Sequence, residues 1–165
     1  MKKIYLHLKE GVTYSHVQEI GKTILVPMCY KHIAELMEVR HCAFQTFEIV
    51  TNTTQAIIAE IDNKIVGFSV FNHLKGDKEI LDIFGYVDPN HRRKGIYLEM
   101  ERCLYVKYTL ANKINCIRSY SHTKNEVSTY FCKKVGIDLC ISEETPESYE
   151  YIWRPTKLNL AKFSL

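Results

Sequence analysis

With 165 residues, 46% of them hydrophobic and 25% charged, the chain has the size and composition of one globular domain over 1–165, and a second domain is not expected. Its 22 basic and 19 acidic side chains leave a net charge of +3, too small to mark a nucleic-acid binder, whose footprint is a concentrated basic excess. Six cysteines, at 29, 42, 103, 116, 132 and 140, form no CxxC pair and no zinc spacing, and the seven histidines form no ligand cluster, so no metal is expected.

The N-terminus is basic, but His7 and Lys9 interrupt its apolar residues and no small-residue cleavage site follows. No run approaches the roughly 20 apolar residues of a membrane span. These features predict a soluble, cytoplasmic protein that does not engage a membrane.

Ile4 to Leu8 alternates like a strand, and Thr23-Ile-Leu-Val26 before Pro27 reads as a second, shorter one. Ile33, Leu36, Met37 and Phe44 then recur at helical spacing, predicting a helix near 28–43 that continues brokenly to 49. Thr54 to Ile61 and Lys64 to Phe71 flank Asp62-Asn63 as a tight hairpin, and a turn at Lys75-Gly-Asp-Lys78 leads into a third strand, Glu79 to Val87. Ile96, Met100, Cys103, Leu104 and Ala111 lie on one face of a helix over about 94–112, and Asn115 to Tyr120 follows as a strand. A strand, a long helix and a strand imply a right-handed parallel crossover. Thr123 and Glu126 fit a capping box for a helix that ends at Gly136. Ile137 to Ile141 and Tyr149 to Trp153 read as final strands around an acidic loop, Ser142 to Glu147, and the tail after Pro155 carries no clear pattern.

The segment richest in chemistry is Tyr86-Val-Asp-Pro-Asn-His-Arg-Arg-Lys-Gly-Ile-Tyr97, a strand end and a basic, glycine-containing loop that opens a helix. The first N–H groups of a helix lack internal partners, the helix dipole adds positive potential, and Gly95 presents backbone without a Cβ. Arg92, Arg93 and Lys94 can add charge toward phosphate, although a solvated basic turn is the plainer reading of these residues alone. Neither a P-loop nor a dinucleotide fingerprint fits.

Arg92-Arg-Lys-Gly95-Ile-Tyr97 resembles the signature of the GCN5-related N-acetyltransferases: Arg or Gln, two residues, Gly, one residue, then Gly or Ala. Val87-Asp-Pro89 resembles that family's Val-x-Pro turn, and Phe131-Cys-Lys-Lys-Val-Gly-Ile137 its second aromatic helix end, with Asn125 eleven residues before Gly136. The resemblance spans nearly the whole element order. It implies an α/β (α+β) fold: a mixed, mostly antiparallel sheet with one parallel crossover, from the fourth strand through the third helix to the fifth strand. It also implies acetyl-coenzyme A as donor and an amine acceptor, with pantetheine along Phe84, Gly85, Tyr86 and Val87. The phosphates fall at Arg92, Arg93, Lys94, Gly95, Ile96 and Tyr97, and Asn125 joins the cofactor-binding set.

Two positions depart from the family. Tyr97 stands where a second small residue is usual, and its ring either crowds the pyrophosphate or turns aside and covers the cofactor. Cys132 stands where many members have the tyrosine that protonates the departing thiolate, so it is the candidate acid, with apolar packing as the alternative. Asp82 is the candidate base only if a bulge turns it from the face opposite Leu81 and Ile83.

The acceptor is expected from segments 28–52 and 141–150, where Glu143, Glu144 and Glu147 can attract a cation or merely face solvent. A nucleic-acid-binding or nucleic-acid-modifying protein and a catalytically silent coenzyme A sensor are the competing readings. Nucleic acid is not favoured, and a homodimer stays open.

Overall fold

A computed structural model describes residues 2–18, 34, 37, 53–74, 76, 78–141 and 147–163. Its elements are β1 (Lys2–Lys9), β2 (Val12–Gln18), β3 (Gln55–Ile61), β4 (Lys64–Leu74) and β5 (Glu79–Val87), then the central helix α1. α1 starts as Ile96–Arg102, continues π-helically over Cys103–Tyr108 and closes with Thr109–Asn112. β6 (Cys116–His122), α2 (Glu126–Val135), β7 (Asp138–Ile141), β8 (Ser148–Trp153) and α3 (Lys157–Lys162) complete the chain.

The strands form one sheet in the order β1-β2-β3-β4-β5-β6-β8-β7. Every adjacent pair is antiparallel except β5 and β6, which are parallel and joined through α1. The predicted mixed sheet with one parallel crossover is therefore correct, but the crossover joins the fifth and sixth described strands. The displaced numbering comes from β2, which sequence reasoning missed. Ser15 and His16 are buried in it beside Tyr14 and Val17, and that polarity hides a strand. His16 is accommodated because its Nε2 sits 2.7 Å from Gln55 Oε1 on neighbouring β3.

Turn chemistry sets the first hairpins. Glu10 and Gly11 both have positive φ (51° and 78°), as do Asp62 and Asn63 (49° and 60°), which matches the twist of a two-residue hairpin loop. The second was legible as Asp-Asn; the first is Glu-Gly and was not read.

The predicted strand at Thr23–Val26 and nearly all of the predicted helix over 28–43 lie outside the described residues. Ala34 and Met37 are helical, but both are exposed, so Met37 does not take the apolar face that its spacing suggested. The capping box also needs correction: Asn125, not Thr123, caps α2, its Oδ1 accepting from Ser128 N at 3.3 Å. Thr123 is held in the preceding turn, where its N–H donates to Glu147 O at 2.8 Å. Gly136 ends α2 at φ 71°, as expected. The tail forms α3, capped by Thr156, and delivers Phe163 into the core against Tyr105 and Trp153.

Each sheet face carries an apolar cluster. α1 packs on the first through Ile96, Met100 and Leu104, against Ile57, Phe71 and Ile80; the second holds Val17, Ile58, Phe68, Val70, Phe84 and Tyr86. Burying each large aliphatic or aromatic side chain contributes about 1.5–3 kcal/mol, so α1 is held to the sheet by packing rather than by helix propensity. Among the described residues, no helix is long and apolar enough to cross a membrane.

Candidate active site

The site begins with a break in strand pairing. β5 and β6 are in register only from Glu79–Cys116 to Asp82–Ser119; beyond that β6 pairs with β8 alone. In the wedge between the diverging halves lies a cavity of about 820 Å³, within the size range of small-molecule sites. Its walls include Asp82 to Val87 of β5, Ser119 to His122 of β6, the start of α1, and Phe131 and Cys132 of α2.

A bulge in β5 aims the side chains. Val70 of β4 pairs with Phe84 and Phe71 with Asp82, leaving Ile83 without a cross-strand partner. Before the bulge Ile80 joins the cluster under α1 and Asp82 reaches Tyr105; after it, Phe84 and Tyr86 join the opposite cluster. Asp82 therefore sits on the helix face with Ile80. Leu81 and Ile83 are not the inward pair that simple alternation suggested.

Asp82 is buried, and Tyr105 Oη of α1 donates a hydrogen bond to its Oδ2 at 3.0 Å. Burial raises its proton affinity, to about 7, against the opposing effect of that bond. One turn before Tyr105, Glu101 is fully buried, and neither of its carboxyl oxygens meets hydrogen-bond geometry. Burial pushes it well above the usual carboxylate range and the charge of Asp82 pushes it further, while Ser69 and Tyr97 favour its charged form.

A stability effect follows. A carboxyl whose folded proton affinity exceeds its unfolded value stabilises fully below the unfolded value, here about 4.5, and that stability is lost as pH rises toward the folded one. Glu101→Met, which keeps the volume and removes the unbonded carboxyl, is expected to raise Tm at pH 8 more than at pH 5. An unsatisfied buried polar group costs about 1–3 kcal/mol, which corresponds to a gain of roughly 3–10 °C at pH 8. Thermal melts at both pH values check this; an equal or smaller gain at pH 8 would place Glu101 in a satisfied site.

At the other end of the cleft, Asp88 Oδ1 accepts from Asn90 N at 3.0 Å and fixes the turn over Pro89. Arg92 folds back, its Nε donating to Val87 O at 2.9 Å and its guanidinium lying 5.3 Å from the Tyr86 ring centroid. Arg93 and Gly95 have φ of 62° and 74°, and no side chain caps the start of α1. Only glycine adopts that φ without strain, which is why residue 95 is glycine. Arg92, Arg93, Gly95, Ile96 and Tyr97 line the cavity, whereas Lys94 is exposed and does not.

The resemblance left two orientations open for Tyr97. Its ring turns aside from the loop onto Gly85, where an added Cβ would come within 2.5 Å of Cε2, and it packs edge-on to Phe131 at 5.2 Å. Cys132 lies in the same wall, buried, with its thiol pushed up to about 12 mainly by burial. Asn125 caps α2 at the cavity rim. Sequence reasoning missed Tyr105, Glu101 and His91. Tyr105 and Glu101 follow Tyr97 at four-residue steps, a stripe on the face of α1 toward β5 that the helical period could have shown.

The residues fit coenzyme A. The uncapped start of α1 can receive phosphate, β5 runs along the wedge beyond its pairing with β6, and the walls hold two buried polar atoms without hydrogen bonds, His91 Nδ1 and Ser121 Oγ. Among the described residues, no group of His, Cys, Asp or Glu could hold a metal ion.

The profile of the acetyltransferase (GNAT) family matches residues 25–136. No curated protein matches the chain. Structures similar in fold include the apo form of RimL, a ribosomal L7/L12 alpha-N-protein acetyltransferase, at TM-score 0.64 and 13% identity over 92% of this chain and 93% of that one. RimL in complex with coenzyme A has TM-score 0.66 and 10% identity, over 91% and 97% of the two chains. The ribosomal-protein-S5-alanine acetyltransferase from Vibrio fischeri has TM-score 0.66 and 9% identity, over 94% and 98%. At such identities the likeness is one of fold.

Proposed function

Because the chain belongs to the GNAT family, N-acetyltransferases that draw on acetyl-coenzyme A, we propose that it acetylates an amine by direct attack in the wedge between β5 and β6, with Asp82 as general base. Acetyl-coenzyme A supplies the acyl thioester. The observation that carries this reading is the placement of two unlike ends on one strand. A phosphate-type loop follows Val87, and a buried carboxyl stands at Asp82, on the order of 17 Å back along the strand at about 3.3 Å per residue. An extended arm lying along β5 where it has parted from β6 spans that distance with its anionic end at the loop.

Asp82 suits a base. Its proton affinity near 7 leaves it substantially ionised at neutral pH and still able to hold the proton of an attacking amine. The bulge at Ile83 interrupts the regular pairing beside Asp82, and a backbone N–H turned toward the cavity there would stabilise the developing oxyanion. Cys132 is less suited to be the acid, because burial makes its thiol a far weaker acid than the thiol it would have to protonate. Tyr97 lies against Gly85 rather than over the loop, which supports cofactor entry rather than a silent sensor.

Incubating the protein with acetyl-coenzyme A and a panel of primary amines, including peptides with free N-termini, is expected to release coenzyme A thiol in proportion to acceptor. Coenzyme A binding without thiol release across the panel would return the sensor reading to first place.

A further inference from the structure

α1 carries a side chain at the reaction end of the wedge to which the family signature assigns no role. Tyr105 reaches the cavity wall from the π-helical stretch, where its hydroxyl donates a hydrogen bond to Asp82, and Cys132 lines the same cavity. Its ring is fixed by Trp153, edge-on at 5.2 Å, and by Phe163, stacked at 5.2 Å. A phenol hydroxyl on a rigid ring, beside the base and lining the cavity, stands in the region that a tyrosine at position 132 would serve. The π-helical turn matters to this placement, since an extra residue in the turn shifts the side chains that follow.

We propose that Tyr105 is the catalytic acid of this enzyme, passing the proton that Asp82 takes from the amine onto the sulfur of the departing coenzyme A. This rests on the acyltransferase reading above. The step balances. The amine nitrogen bonds to the acyl carbon and gives one proton to Asp82, the carbon–sulfur bond breaks with its electron pair on sulfur, Tyr105 gives its proton to that sulfur, and Asp82 returns one to Tyr105.

The hydrogen bond explains the timing. While Asp82 is ionised it accepts from Tyr105. Once protonated, Asp82 becomes a donor, the bond reverses, and the phenol proton is released toward the cavity. Burial holds Tyr105 itself well above the ordinary phenol range, so it is a poor acid alone. Acting as a relay, it transfers in net a proton from a carboxyl near 7 to a thiolate whose ordinary value is about 8.5, which is downhill. The titratable groups facing Tyr105 are Asp82 from β5, Glu101 and Tyr97 from its own helix, and Cys132 from α2. None is a cation, so nothing nearby competes to stabilise the thiolate.

The test uses free coenzyme A as probe and needs no acceptor. Binding is measured first by calorimetry, and the bound thiol is then titrated by the difference in ultraviolet thiolate absorbance with and without coenzyme A. In Asp82→Asn the amide can donate to the phenol oxygen and free its proton for sulfur, so the bound thiol is expected to titrate about one pH unit lower in Asp82→Asn than in Asp82→Asn/Tyr105→Phe, the effect of one hydrogen bond to a charged acceptor at equal charge. The turnover of Tyr105→Phe serves if the double variant does not fold. In turnover, Tyr105→Phe should reduce kcat on the order of tenfold or more with the Kd for coenzyme A within twofold. Tight binding with the same thiol titration in Asp82→Asn and Asp82→Asn/Tyr105→Phe would overturn the relay alone, as would a shift seen instead in Cys132→Ala. No binding by the wild-type protein would overturn the acyltransferase reading and the relay with it.

Discussion

Asp82→Asn is expected to lower kcat by about 10²–10⁴-fold while leaving the Kd for coenzyme A within about twofold, because the substitution keeps the shape of the side chain and removes only its capacity to take a proton. The carboxyl lies at the closed end of the wedge and the phosphate-type loop at the other, so the two properties are separable. In the wild-type protein kcat/KM should rise with pH through about 7, since the base must be ionised before it can accept a proton and burial has moved its ionisation there. That ascending limb should vanish in Asp82→Asn, leaving a shallow dependence set by the amine. Initial rates of thiol release across pH 5.5 to about 9 check both effects. A variant that keeps the limb and loses less than about threefold in kcat would reduce Asp82 to a structural acid and leave deprotonation to water.

Stability moves with the same groups. Asp82 and Glu101 are both carboxyls with raised proton affinity, so each stabilises the fold most at low pH and loses that contribution as pH rises, Asp82 between about 3.8 and about 7. The condition that activates the base therefore weakens the fold. Active sites commonly carry groups whose stability cost is linked to their chemistry.

The architecture was legible wherever local chemistry and tertiary packing agree. Asp62-Asn63 announces its hairpin through residues that tolerate positive φ, and Gly136 ends α2 for the same reason. The loop from Asp88 to Gly95 was legible as a turn into a helix because a proline and a glycine encode its backbone directly. Legibility failed where a long-range partner decides the outcome. Val12, Thr13, Tyr14 and Val17 favour a strand, but the burial of Ser15 and His16 between them is not legible locally; Gln55, far away in sequence, makes a buried His16 tolerable. α3 depends on Phe163 finding Tyr105 and Trp153. That Phe84 and Tyr86 face away from Asp82 depends on a bulge that appears only in the pairing with β4. At the reaction end the bulge and the π-helical turn have no sequence signature, although the four-residue spacing of Tyr97, Glu101 and Tyr105 does. The cofactor end rests on backbone conformation that glycine and proline encode directly.

That contrast makes the cofactor end the place for the strongest binding prediction. Arg93 is exposed, is held at positive φ and lines the cavity rim, so Arg93→Glu changes charge without disturbing the core. Arg92 has a second duty, since its side chain ties the loop to Val87 O and covers the Tyr86 ring. Reversing it removes that tie as well as a charge. A hydrogen bond to a charged group contributes about 1.5–3 kcal/mol, so each lost phosphate contact should weaken coenzyme A binding roughly 10- to 100-fold. The double variant should lose on the order of 10²–10³-fold or more, since glutamate adds repulsion to the loss. Thermal melts separate the two arginines: Arg93→Glu should melt within about 1 °C of wild type, as surface substitutions do, while Arg92→Glu should fall by a few degrees. Salt dependence supplies a further check. Wild-type affinity should fall with ionic strength because the contacts at the rim are screened, and the dependence should flatten or reverse in the double variant. Calorimetric titration with coenzyme A at low and physiological salt decides it. Wild-type affinity and salt dependence in Arg92→Glu/Arg93→Glu would leave the loop as a solvated basic turn and move the phosphates elsewhere.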